Sequence, residues 1–316
     1  MRLRRPVVLL LAVALDLARG EPATAWHPVA WIGRALGWAE RRAPGRSIAD
    51  GAAAVTLVVG SAWAGARALA SVTGRLGWMG VVLEALTLKP AFALRRLDEA
   101  TDGVEAALRA GDLGSARMLV GRDLVSRPTD ELAADEVASA AIESAAENLV
   151  DSVAAPVLAY AVGGLPAAWA YRAVNTADAM WGYRDERYER FGKAAARLDD
   201  LANLVPARFG ASALVAGAAL AGENGRDAAR VAWAQHGRTA SPNAGWPMAA
   251  MAGALGVGLA KRGAYRLGEH ALPASPDAVR RARRVLAAAA AVTVLFVTGV
   301  TLVGVRTSMS PGEEAG

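Results

Sequence analysis

The stretch VLAAAAAVTVLFVTGVTLVGV, residues 285–305, holds no charged residue and is bracketed by Arg283, Arg284 and Arg306. About 20 apolar residues in a helix cross the hydrocarbon core of a bilayer. This run therefore predicts a membrane-spanning helix, and the rest of the chain is read outward from it. Residues 152–171, SVAAPVLAYAVGGLPAAWAY, are also uncharged but interrupted by Pro156, Gly163, Gly164 and Pro166. They predict a broken or re-entrant helix, which is tolerable where protein covers the freed backbone groups. Residues 51–66 extend toward Arg75, residues 76–92 carry Glu84 inside an apolar run, and residues 209–222 are short and uncharged. Residues 244–260 are apolar and rich in small residues that permit close helix packing.

The N-terminal MRLRRPVVLLLAVAL has a basic start and an apolar core, and Ala-Thr-Ala before Trp26 resembles a signal-peptidase site. Asp16 interrupts that core, which favours a first membrane or interfacial helix over a secretion signal. Between the apolar runs lie polar stretches. Residues 93–148 predict two amphipathic helices, the first broken by Gly111 and Gly114, the second begun by Pro128, Thr129 and Asp130. No strand alternation of useful length and no solenoid repeat occurs. The expected fold is all-α and polytopic: one membrane domain over residues 1–316, with about five to seven membrane-associated helices and amphipathic helical loops.

Composition agrees. Of 316 residues, 54% are hydrophobic, and mean hydropathy is +0.25. Cysteine is absent, which excludes disulfides, thiolate metal sites and cysteine nucleophiles. Net charge is +5, and only three of the 35 basic residues are lysines. The arginines are interleaved with acids and form no stripe with aromatic platforms, so nucleic acid is not an expected partner. No Walker loop or strand-linked Rossmann turn occurs. Arginine and lysine flank both ends of most spans, leaving orientation open.

The chemistry gathers in four places. In SAAIESAAENLVDSVAAP, residues 139–156, Glu143, Glu147 and Asp151 recur every four residues. They form a slanted stripe rising about 12 Å along a helix. Like charges so spaced repel by a few tenths of a kcal/mol, and more near hydrocarbon unless a cation compensates. Arginine, Mg²⁺ or a substrate ammonium would serve, and a solvated, ion-paired face is the plain alternative. Residues 171–208 hold Asn175, Asp178, Tyr183, Arg184, Arg197, Asp199, Asp200 and Asn203. Carboxylate and carboxamide at i, i+3 suit a hard cation leaning on phosphates, and the arginines suit phosphate or carboxylate. In SPNAGWP, residues 241–247, Ser241 and Asn243 can build a tight turn ahead of an apolar helix. In WHPVAWIGR, residues 26–34, His27 precedes Pro28 and is held extended. His236 and His270 have no ligand partners at zinc spacing.

In order and spacing, LDLARGEP…HPVAWIGR, AAIESAAENLVDSVAAP, YRAVNTADAMWGYRDERYERFG, AARLDDLANLVPAR and SPNAGWPMAAMAGALGV resemble the cobalamin biosynthesis protein CobD/CbiB family. The resemblance runs from about residue 15 to 260. It implies an integral enzyme of the cytoplasmic membrane, an adenosylcobinamide-phosphate synthase. Such an enzyme joins adenosylcobyric acid to (R)-1-amino-2-propanol or its O-phosphate by an amide bond, using ATP and Mg²⁺, beside other cobamide-assembly enzymes. On that reading Glu143, Glu147, Asp151 and Asp178 are catalytic, and Glu147, Asp151, Asp199 and Asp200 hold metal. His27, Asn148, Asn175, Tyr183, Arg184, Arg197, Asn203, Ser241 and Asn243 bind or position substrate and phosphate.

The chain departs from the family's pattern at Glu21, at Pro128 where a carboxylate is usual, at Thr239, at Met248 where a glutamate is usual, and in KRGAYRLG, where a glycine-rich loop with a tyrosine is expected. A divergent active synthase is the leading reading. The alternatives are a paralogue with another substrate, an impaired copy, or a non-catalytic membrane scaffold or corrinoid-binding, transport-like protein. Transport predicts acids buried in the spans, and Glu84 is the one acid that sits mid-span.

Overall fold

The computed structural model describes residues 4–183, 185–268 and 271–307, with side chains to residue 303. In chain order its helices are α1 (Arg4–Arg19), α2 (Pro28–Arg42), α3 (Ile48–Thr73), α4 (Gly77–Leu88), α5 (Leu94–Arg109), α6 (Leu113–Asp123) and α7 (Ala134–Leu149). After a π-helical turn at Val150–Ala154 come α8 (Ala155–Trp181), α9 (Lys193–Ala202), α10 (Leu204–Leu220), α11 (Gly225–Gln235), α12 (Gly245–Leu255) and α13 (Pro276–Thr307). Among the described residues, Ile48–Thr73, Gly77–Arg109, Ala134–Trp181 and Pro276–Val303 are long and apolar enough to cross a membrane. Lys193–Ala202 with Leu204–Leu220 raises the number to up to five. The expected all-α polytopic class holds.

Three expectations are revised. The 93–148 region contains three helices. Gly111, at φ +73°, ends α5, and Asp112 caps α6 by accepting from Ser115 N at 2.9 Å, so Gly114 lies inside a helix and breaks nothing. The next helix starts at Ala134, beyond the Pro128–Asp130 segment. The run 244–260 is not one helix: Gly256 adopts the left-handed conformation that closes α12, and strand β1 (Val257–Lys261) follows. β1 pairs antiparallel with β2 (Tyr265–Leu267) and parallel with β3 (Leu272–Pro273). Strands this short carry no readable alternation. The expected break in 152–171 is present, with Gly164 at φ +68° two residues before Pro166.

The chain forms two compact units. The first comprises residues 1–93, 155–202 and 294–316. Its core includes Leu9, Leu36, Val55, Leu88, Phe92, Tyr160, Trp181 and Phe191, all at most 1% exposed. Here Glu84, only 7% exposed, pairs with Arg4 at 2.7 Å and accepts from Tyr160 Oη at 2.9 Å. The mid-span acid is thus a compensated buried charge with a structural role.

The second unit comprises residues 94–154 and 203–293. In it α12 is buried on all sides, as its uniformly apolar sequence requires. It lies so close to α11 that a Cβ on Gly253 would stand 2.3 Å from the Asp227 carbonyl oxygen. That contact is backbone and cannot swing away. Gly253→Val is therefore expected to lose about 1–3 kcal/mol or more through overpacking, read as earlier thermal unfolding of the purified protein.

Candidate functional site

The acidic stripe lies in the second unit, on α7 and the π turn. Alanines at 134, 138, 140, 141, 145 and 146 make α7 a strong helix former and let neighbours approach closely. Glu136 accepts from Ala133 N at 2.8 Å and satisfies an N-terminal donor. At the other end Pro156 has no N–H for the carbonyl four residues back and crowds it. The wider π turn at Val150–Ala154, immediately before, accommodates that defect. Asp151 sits in this turn. Gly210 of α10 packs against it, since a Cβ there would stand 2.7 Å from Val150 Cγ2.

One face of α7 is tied to the β1–β2 hairpin at residues 136, 139 and 143. Arg262 pairs with Glu136. The Ala260 N–H donates to Ser139 Oγ at 2.9 Å, and Ser139 Oγ–H donates to Glu143 Oε1 at 2.6 Å. Tyr265 Oη–H donates to Glu143 Oε2 at 2.6 Å. Glu143 is 5% exposed and has a neutral donor on each oxygen. Two charge-assisted bonds to a buried carboxylate fix its rotamer and offset its desolvation. Burial, followed by the charges of Glu143 and Glu147, pushes the Tyr265 phenol well above its ordinary range, against a smaller opposing pull from Arg127. Tyr265 therefore stays protonated and donating.

The stripe then continues to Glu147 and Asp151, both half-buried. The three like charges are thus not equivalent: the first is an internal anchor, and the next two keep part of their surface open. Tyr265→Phe is expected to cost about 1.5–3 kcal/mol, the range for a hydrogen bond to a charged group. In a double-mutant cycle with Glu143→Gln, measured by thermal unfolding, most of that cost should disappear.

Other predicted residues of this unit serve local structure. Asn148 donates to the Ser144 carbonyl at 2.9 Å, and Ser144 donates to the Leu124 carbonyl. Ser241 Oγ accepts from Asn243 N at 3.2 Å and Ala244 N at 3.3 Å, which makes the expected turn before α12. Asn243, 6% exposed, accepts from Arg208 Nη1 at 3.4 Å, while Asn203, 2% exposed, leads into α10. His236 stacks on Trp246 at 3.8 Å, and the Arg208 guanidinium lies 5.2 Å from the Trp246 ring centre. Met248 is 2% exposed in the core.

The remaining candidates belong to the first unit. Arg172 Nη1 donates to Asn175 Oδ1 at 3.2 Å, and Asn175 Nδ2 to Asp199 Oδ1 at 3.4 Å, linking α8 to α9. Asp178 is half-buried in the last turn of α8. Asp200 lies 3.7 Å from Arg197, an exposed surface pair. Tyr183 is 44% exposed, and Arg184 and His270 lie outside the described residues. His27 caps α2: its Nδ1 accepts from Val29 N at 3.2 Å while Nε2 meets Glu21 at 2.7 Å.

Sequence reading missed Glu40. Only 8% exposed, it accepts from Arg46 at 2.7 Å, from Arg187 at 2.7 and 3.1 Å, and from Tyr188 and Trp181 at 3.3 Å. Burial alone would raise this carboxyl, but the bonds and charges of Arg46 and Arg187 outweigh it and hold Glu40 below the usual range. Its signal, one acid among the arginines of α2, is readable only once Arg187 and Tyr188 are seen to fold back on it.

Among the described residues no three acids or histidines gather into a metal cage. A carboxylate pair one turn apart, Glu147 and Asp151, suits Mg²⁺ differently. That ion is commonly held by one or two carboxylates together with waters and substrate phosphates.

Helices of this length and apolarity define a polytopic membrane protein, and its candidate site is the acidic stripe on the π-interrupted helix. The chain belongs to the CobD/Cbib protein family, whose profile it matches over residues 9–305. It is 35% identical over 301 residues to the "Cobalamin biosynthesis protein CobD" of Dehalococcoides mccartyi (strain CBDB1), covering 93% of this chain and 96% of that protein. It is 43% identical over 265 residues to the protein of the same name from Geobacter metallireducens, covering 82% of each. With that of Rhizobium meliloti (strain 1021) it shares 40% over 306 residues, 92% of each. No solved structure matches it. The family places the chain in cobalamin biosynthesis.

Proposed function

We propose that the chain is an ATP-dependent ligase that joins adenosylcobyric acid to (R)-1-amino-2-propanol or its O-phosphate. The product is adenosylcobinamide or its phosphate, and the enzyme works in the cytoplasmic membrane, where ATP and corrinoid intermediates meet. The observation that carries this reading is the acidic stripe of α7 and the π turn, where Glu143 is buried and anchored and Glu147 and Asp151 are partly exposed further along.

A free carboxylate does not acylate an amine at neutral pH, because its oxygen is a poor leaving group. Transfer of the γ-phosphoryl group of ATP to that oxygen makes phosphate the leaving group. The amine nitrogen then bonds to the carbonyl carbon, and ADP and phosphate are the co-products. Glu147 orients the substrate ammonium and takes a proton as the nitrogen becomes nucleophilic. Asp151, with Glu147 beside it, would hold Mg²⁺, which when bound neutralises phosphate charge. Arg127, half-buried and near enough to oppose the phenol shift of Tyr265, is the cation we assign to phosphate on this side of the site. Tyr265 and Ser139 hold the anchor carboxylate from which the stripe is registered.

The test is reconstitution of the purified full-length chain with adenosylcobyric acid, aminopropanol phosphate, ATP and Mg²⁺, with corrinoid products separated and weighed by mass spectrometry. New amide product that depends on ATP is the expected result. A stable, membrane-inserted protein that yields none, and does not restore a strain lacking this step, would overturn the ligase reading in favour of a scaffold.

A further inference from the structure

Helix α2 presents one exposed face with an unusual composition. Trp31, Arg34, Trp38, Arg41 and Arg42 are all exposed, and their spacing of three, four and three or four residues puts them on a single stripe. The opposite face, with Ile32, Leu36, Ala39 and Glu40, is buried. Trp31 and Trp38 are 48% and 46% exposed, and Trp26, just before the helix, is 75% exposed. The stripe carries no acid, because the helix's single carboxylate, Glu40, is turned inward onto Arg46 and Arg187. The Trp31 indole N–H is fixed on the Ala25 carbonyl at 2.9 Å, and the Arg42 guanidinium lies 5.2 Å from the Trp38 ring centre.

Two environments conflict with this face. Open water would leave three large indoles solvated. The hydrocarbon core would strand Arg34, which sits between the tryptophans, at a depth where arginine is strongly disfavoured. The headgroup layer satisfies both requirements, since indoles concentrate there and arginines reach phosphates. Position along the chain agrees. The membrane-spanning segment Ile48–Thr73 begins six residues after Arg42, with Arg46 in the link. The C-terminal end of α2 is therefore tethered at a membrane surface. Charge complementarity selects the kind of lipid: three arginines with no acid on the stripe favour an anionic headgroup over a zwitterionic one.

We infer that the exposed face of α2 is a docking surface for anionic phospholipid headgroups, with Trp31 and Trp38 at headgroup depth and Arg34, Arg41 and Arg42 on the phosphates. This surface is distinct from the α7 stripe, and its test needs no catalytic readout.

The chain has no cysteine, so Trp31→Cys and Trp38→Cys can each be spin-labelled alone in the full-length protein. Labels are read in phosphatidylcholine nanodiscs with and without phosphatidylglycerol, using oxygen and a water-soluble nickel chelate as collision probes. Both labels should report headgroup depth, and their motion should slow when phosphatidylglycerol is present. Adding Arg34→Gln, Arg41→Gln and Arg42→Gln should abolish that slowing. In parallel, spin-labelled phosphatidylglycerol should lose about five-fold of its association preference for each arginine removed, the factor equivalent to about 1 kcal/mol per basic residue. These lipid measurements keep the inference testable if a cysteine variant folds poorly. Chelate access like that of a water-exposed label, hydrocarbon depth, spin–spin broadening from a second copy, or indifference to headgroup charge would each overturn it.

Discussion

Glu147→Gln is expected to lower amide formation by about 10²–10⁴-fold, the usual contribution of a positioned general base, while leaving the protein folded. Gln keeps the shape and hydrogen-bonding reach of Glu147 but has neither its charge nor its basicity. The side chain is half-buried at the open end of the stripe, so the substitution leaves no deeply buried unpaired group. Glu143→Gln should behave differently. It disturbs a 5%-exposed carboxylate bonded to Ser139 and Tyr265, and its main effect should be lost stability. Comparing the two by single-turnover product formation and by thermal unfolding separates reacting group from anchor. Near-normal turnover in Glu147→Gln at saturating substrate would sink the role assigned to it.

Lys89→Met should be the most destabilising single change in the first unit. Lys89 is 6% exposed, with Nζ 3.2 Å from Asp16 and 3.0 Å from Glu21, and Asp16 is completely buried. His27 completes the cluster through Glu21. Burial raises the Glu21 carboxyl, but the bonds and charges of His27 and Lys89 outweigh it and hold Glu21 below its usual range. Met fills much the same volume but removes the lysine ammonium that both carboxylates share. Breaking a buried pair by deleting one partner costs about 3–5 kcal/mol, since the remaining charge is left uncompensated. Unfolding in detergent should move accordingly. The triple change Lys89→Met, Asp16→Asn, Glu21→Gln should recover much of the loss. Equal instability of single and triple variants would assign the cluster a packing role in place of an electrostatic one.

Much of the fold was legible in local sequence because a bilayer constrains it strongly. A charge-free run such as 285–305 has few options in hydrocarbon other than a helix, and α13 spans it. Gly164 and Pro166 announced a broken helix for the same reason, through backbone rules that act within a few residues. The hairpin was not legible: strands of five and three residues are too short for a pattern, and Gly256 ended α12 inside a uniformly apolar run. Glu84 could be flagged but not interpreted, since Arg4 and Tyr160 come from 80 and 76 residues away.

The acidic stripe shows where the division falls. Four-residue spacing determined, without tertiary information, that Glu143, Glu147 and Asp151 share a helix face, because helical geometry is local. Their chemical inequality was decided only by tertiary contacts. Tyr265 arrives from 122 residues away to hold the first carboxylate, Ala260 from 121 to bond the Ser139 hydroxyl that also holds it, and α10 presses Gly210 onto the π turn that carries the third. Charge in a sequence is a property of each residue. The desolvation and hydrogen bonding that make Glu143 an anchor belong to the packing around it.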